Sequence, residues 1–109
     1  MAVQVRLRKF IAVGQKSKDD PGPYGQGYNY VVEAAFAWSP DLAHVRKSFA
    51  DVLKEVDHRH LGLDVHLIED PTTANLCQFI MQGLRERGVP ALEVRLERGD
   101  GLIATGKDL

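Results

Sequence analysis

The spacing of apolar residues changes twice along this chain, and that change restricts the fold more than any other feature. Val3, Val5 and Leu7 alternate with Gln4, Arg6 and Arg8, the period-two pattern of a half-buried strand. The strand continues through Phe10, Ile11, Ala12 and Val13. Residues 28–37 (Tyr-Asn-Tyr-Val-Val-Glu-Ala-Ala-Phe-Ala) are rich in β-formers and predict a second strand. The spacing then becomes three or four: Leu42, Val45, Phe49, Val52, Leu53 and Val56 share one face of a helix. Arg46, Lys47, Asp51 and Lys54 take its other face. Ser39 is the expected N-cap and Pro40 the first helical residue. A second helix begins near Pro71, Thr72 and Thr73, buries Leu76, Phe79, Ile80 and Leu84, and ends at Gly88 and Pro90. Period two then returns, with Leu92, Val94 and Leu96 alternating with Glu93, Arg95 and Glu97. Gly99, Asp100 and Gly101 form a tight turn before a short fourth strand at residues 102–104.

The order strand-strand-helix-helix-strand-strand predicts an α+β fold. Its sheet is expected to be antiparallel and four-stranded, with both helices on one face. The 109 residues fit one domain, residues 1–109. A chain of this size buries a modest fraction of its surface and gains from assembly into an oligomer. Fourteen basic residues against fifteen acidic ones leave a net charge of −1, which gives no electrostatic footprint for nucleic acid. No run approaches the roughly 20 apolar residues of a membrane span. The N-terminus has no continuous apolar stretch of the signal-peptide kind. Cys77, the single cysteine, allows no internal disulfide and reads as a buried, inert thiol in the second helix. A cytoplasmic protein that binds neither nucleic acid nor membrane is expected. Between the first two strands, Gly14 to Gly27 is rich in turn formers, and so long a loop is functional or disordered.

Five short segments, in order along the chain, narrow the fold further. They are Phe10-Ile11-Ala12-Val13-Gly14, Gly27-Tyr28-Asn29-Tyr30-Val31-Val32-Glu33, Asp57-His58-Arg59-His60-Leu61, Asp70-Pro71-Thr72-Thr73-Ala74-Asn75-Leu76 and Val94-Arg95-Leu96-Glu97. Together they resemble the 6-pyruvoyl-tetrahydropterin synthase and 6-carboxytetrahydropterin synthase family, whose corresponding motifs are Phe-x-Ala-x-His, His-Gly-His-Asn-Tyr, Leu-Asp-His-x-x-Leu, Asn-Pro-Thr-x-Glu-Asn-Leu and Val-x-Val-x-Glu. The resemblance implies the tunnelling fold, in which sheets of neighbouring subunits join into a trimer- or hexamer-type barrel. It also implies sites between subunits for pterins or related purine-like heterocycles.

The same comparison implies that this chain is divergent. The family's three zinc-binding histidines correspond to Gly14, Gln26 and Tyr28, and its cysteine to Gly22. Glycine has no side-chain ligand, and neutral glutamine and tyrosine are poor zinc donors. No metal and no other cofactor is therefore expected, and the zinc-dependent lyase reaction is expected to be lost. His58, His60 and His66 are either solvated or structurally satisfied histidines, or a replacement metal site. His44 lies on the polar face of the first helix and reads as solvated.

The resemblance carries over Asp57 and His58 as a proton-transfer pair, since an aspartate can orient an imidazole and raise its basicity. A surface pair at a helix end is the plainer alternative. Glu97 is implied as the anchor that accepts two hydrogen bonds from the amidine-like edge of a heterocycle. The alternative is a solvated charged stripe of Glu93, Arg95 and Glu97. Thr72 and Thr73 either assist that binding region or cap the second helix. Ala74 departs from the family's glutamate, and Trp38-Ser39-Pro40-Asp41 shortens its connection to the first helix. Tyr24, Tyr28 and Tyr30 either stack on a planar ligand or pack in the core. Three functions follow: a metal-free binding module, a metal-independent pterin-converting enzyme, or a non-catalytic structural or regulatory subunit.

Overall fold

The computed structural model describes residues 3–16, 25–61, 68 and 70–108. The predicted alternation appears as β1 (Gln4–Gln15) and β2 (Gln26–Ala37), paired antiparallel along their whole length from Gln4↔Ala37 to Gln15↔Gln26. Both strands reach further into the predicted loop than periodicity indicated. Gly22 and Tyr24 lie outside the described residues, as does His66. Helix α1 (Leu42–Lys54) follows, then β3 (Arg59–Leu61), α2 (Thr73–Glu86), β4 (Glu93–Arg98) and β5 (Ile103–Lys107).

The sheet corrects the expectation of four antiparallel strands. It has five, in the order β3-β1-β2-β4-β5, and β3 runs parallel to β1. Three residues are too few to show a period, so β3 was invisible in the pattern of side chains. It exists because the chain leaves α1 through His58, at a left-handed φ of 59°, and turns back along the end of β1. The expected cap of α1 is also corrected. Asp41 is the N-cap, accepting from the His44 amide at 3.1 Å, while Ser39 Oγ accepts from the Asp41 amide. Thr72 caps α2 and accepts from the Asn75 amide at 3.1 Å.

One face of the sheet is the core. Ile11 and Val13 of β1, Tyr30, Val32, Ala34 and Phe36 of β2, and Val94 and Leu96 of β4 are buried in one cluster with the helices. From α1 come Val45, Phe49, Val52 and Leu53, and from α2 Leu76, Ile80 and Leu84, as their spacing required. Cys77 is buried, its thiol directed at the Val94 carbonyl and pushed up from the ordinary thiol range by burial. No helix among the described residues is long and apolar enough to cross a membrane.

The opposite face is uncovered. Across it runs a charged row, Arg8 beside Glu33 beside Arg95. Arg8 and Arg6 both bond Glu33, and Arg8 contributes most to holding that carboxyl below its usual range.

Candidate functional site

The next row on the uncovered face differs in kind. Register places Phe10 beside Val31, Val31 beside Glu97, and Glu97 beside Ile103. Residues paired across strands project on the same side, so this row is an apolar strip interrupted by one carboxylate. Phe10 is 74% exposed, the most exposed of the large apolar side chains among the described residues. Phe10, Val31 and Glu97 line a cavity of about 580 Å³, and Asn29, Asp57, His58 and Arg98 are among its other lining residues.

Glu97 is half-exposed and shares one oxygen with Arg95 Nη2 at 3.1 Å. Both residues lie on the same face two positions apart, and such a surface pair is worth at most about 1 kcal/mol. A carboxylate offers roughly four lone-pair sites, so Glu97 keeps capacity for a ligand. Arg98 follows it on β4, where alternation turns the side chain to the opposite face. There the guanidinium grips Asp100 with two bonds of 2.8 Å and lies 4.1 Å over the Tyr28 ring. The pairing with Asp100 and the Tyr28 contact account for Arg98 within the turn, and Tyr28 packs beside the core.

Asp57 and His58 reach the cavity because both backbone groups of Ala12 hold them. Asp57 Oδ1 accepts from the Ala12 amide at 3.0 Å, and the His58 amide donates to the Ala12 carbonyl at 2.6 Å. This double clamp stabilises a backbone conformation that otherwise costs a non-glycine residue about 1–2 kcal/mol. His58 Nε2 lies 3.7 Å from Asp57 Oδ1, outside hydrogen-bond range, and the imidazole is 81% exposed. The pair is adjacent and open to a ligand.

Thr72 and Thr73 do not line this cavity. Thr72 is the helix cap, and buried Thr73 Oγ1 lies 2.8 Å from the Tyr30 hydroxyl. Of the expected site residues, the structure therefore gathers Asp57, His58 and Glu97 and gives the two threonines positions that serve the fold. Phe10 and Asn29 were not singled out as ligand contacts. A signal existed for Phe10: consecutive apolar residues Phe10 and Ile11 cannot both face the core of a strand.

Residues 25–107 match the family model of 6-pyruvoyl tetrahydropterin synthase. The chain belongs to that family. The fold agrees: the structure of 6-pyruvoyl tetrahydropterin synthase from Caenorhabditis elegans superposes with a TM-score of 0.81, at 22% identity. The alignment covers 100% of this chain and 97% of that one. No sequence among curated proteins matches the chain.

A zinc ion does not fit Gly14 and Tyr28, two of the three positions to which the resemblance assigns the family's ligands. A Cβ on Gly14 would lie 2.7 Å from His60 Cδ2, so the His60 ring occupies the space a ligand side chain would need. Gly14 pairs with Gly27, whereas Tyr28 pairs with buried Val13 and projects on the other face. Among the described residues, no group of three or more His, Cys, Asp or Glu is placed to hold a metal ion.

Proposed function

We propose that this protein binds a pterin or related purine-like heterocycle in the cavity between β1, β2 and β4. The observation that carries this reading is the row Phe10–Val31–Glu97 on the cavity wall. A flat heterocycle needs an apolar surface for its face and an acceptor for its amino and ring N–H groups. Phe10 and Val31 supply the first, and the Glu97 carboxylate accepts the second as a charge-assisted pair. The family's zinc-dependent lyase reaction is lost on this reading, because Gly14 and Tyr28 provide no ligand set.

Binding between subunits follows from the sheet's edges. β3 covers β1 only from Val13 to Gln15, so among the described residues the rest of that edge pairs only with β2. β5 forms the other edge. Joining such edges would cover their unpaired backbone groups and close neighbouring sheets into a barrel. A cytoplasmic homo-oligomer is the setting this reading gives it.

A second reading is metal-independent conversion of the bound heterocycle, with Asp57 and His58 as the acid/base pair. Their place on the same cavity as Glu97 favours it.

Calorimetric titration with pterins and purines tests the first reading. Wild-type binding weakened ten- to a hundredfold or more in Glu97→Ala, the effect of losing a charged hydrogen bond of about 1.5–3 kcal/mol, is expected. Absence of binding to the wild type would leave the structural or regulatory subunit. For the second reading, equal turnover by wild type and His58→Ala would remove the catalytic role.

A further inference from the structure

The charged row beside the heterocycle site is unevenly paired. Glu33 lies between Arg8 and Arg95 in register, so a guanidinium from either neighbouring strand is placed to reach it. Both its oxygens are taken from the β1 side. Arg6 Nη1 donates to Oε1 at 3.2 Å and Arg8 Nη2 to Oε2 at 3.3 Å.

Arg95 turns the other way. Its Nη2 donates along its own strand to Glu97 Oε1 at 3.1 Å. Arg98, the next cation on β4, is held by Asp100 and Tyr28 and leaves Glu97 to Arg95. Glu97 therefore reaches the cavity as half of an ion pair rather than as a bare carboxylate. Each carboxylate oxygen has two lone-pair sites. Oε1 can hold Arg95 and still accept one ligand N–H while Oε2 accepts another.

Resting on the heterocycle site proposed above, we propose that Arg95 is a positioning residue that makes the site selective for a neutral heterocycle over a cationic one. The pairing fixes the orientation of the Glu97 carboxylate and offsets its charge. A neutral amino-oxo ring, as in pterin or guanine, presents an amino N–H and a ring N–H side by side to the two oxygens. A diamino ring lacks that ring N–H and matches a carboxylate only after taking up a proton. It then enters as a cation, which the Arg95 guanidinium repels. Arg6 and Arg8 act one step further back. By saturating Glu33 they remove the carboxylate opposite Arg95 that would otherwise compete for it.

Two probes test this role: pterin and 2,4-diaminopteridine. Each is titrated calorimetrically into wild type, Arg95→Gln, Arg95→Lys and the double variant Arg6→Gln/Arg8→Gln. The wild type should prefer pterin. Arg95→Gln should bind pterin more weakly and the diamino ring more tightly, shifting the ratio of affinities about tenfold, the scale on which one nearby charge acts at a protein surface. A residue that only supported the fold would move both affinities in the same direction. Arg95→Lys keeps the charge and should keep most of the preference. In the double variant Glu33 is bare and draws Arg95 away, so the ratio should shift as in Arg95→Gln. An unchanged ratio in Arg95→Gln or in the double variant would overturn the assignment and leave the heterocycle site standing. A wild-type preference for the diamino ring, or its appearance in Arg95→Lys, would do the same. Failure of both probes to bind the wild type would remove the heterocycle site itself, and this role with it.

Discussion

The hydroxyl of Tyr30 joins three separate parts of the chain. It donates to Gln15 Oε1 at 2.6 Å, so the proton in its 2.8 Å contact with Thr73 comes from the threonine. The Gln15 amide in turn donates to the Pro71 carbonyl. β1, β2 and the start of α2 are thus held through one buried phenol. Burial raises the Tyr30 pKa above its ordinary value. The folded state therefore keeps this proton more tightly than the unfolded chain does. Its stabilisation is complete below pH of about 10 and is lost as pH rises through the higher folded value. Tyr30→Phe strands buried Gln15 and should cost about 1–3 kcal/mol at neutral pH. It should also flatten the decline in stability on the alkaline side. Urea unfolding at pH near 7 and above 10 measures both, and an unchanged midpoint would show that the network contributes nothing. The sequence placed Tyr30 in a strand and Thr73 at a helix start. Their contact, across 43 positions, needed the fold.

Among elements, the connection from α1 into β3 sets the site. Asp57 supports the backbone of β1 and also faces His58, and two substitutions separate these tasks. Asp57→Ala leaves the Ala12 amide without its acceptor and should cost about 1–3 kcal/mol in thermal unfolding. Asp57→Asn keeps an acceptor oxygen, so it should retain most of that stability while removing the negative charge beside the imidazole. If both variants unfold alike, the bond to Ala12 is not the stabilising one. At α2, Thr72→Ala should cost about 1 kcal/mol as a lost cap and leave ligand affinity unchanged. A fall in affinity would return Thr72 to the binding site. Both helices were legible because their apolar residues recur on one face. Asp41 displaced Ser39 as cap because its carboxylate reaches the His44 amide three positions on, a local geometry that composition does not fix.

For the molecule as a whole, the open edge of β1 and the strand β5 lead to the expectation of an oligomer. Analytical ultracentrifugation at micromolar concentration should show a species larger than one chain, and a monomer at every concentration would remove the subunit-interface reading. Protein purified without chelator should carry zinc far below one ion per chain. Stoichiometric zinc would show that residues other than Gly14 and Tyr28 provide ligands.

By itself the sequence determined the α+β class, the two helices, the strands that became β1, β2 and β4, and the family, because side-chain period and short motifs are local properties of the chain. It also singled out Asp57, His58, Glu97, Thr72 and Thr73 as site candidates, of which the first three line one cavity. Tertiary structure alone decided the fifth strand, the exposed Phe10 in register with Glu97, and the His60 ring over Gly14. Each of these depends on which strand lies beside which and in what register. Residues 14 and 60 face each other only because left-handed His58 turns the chain back along β1.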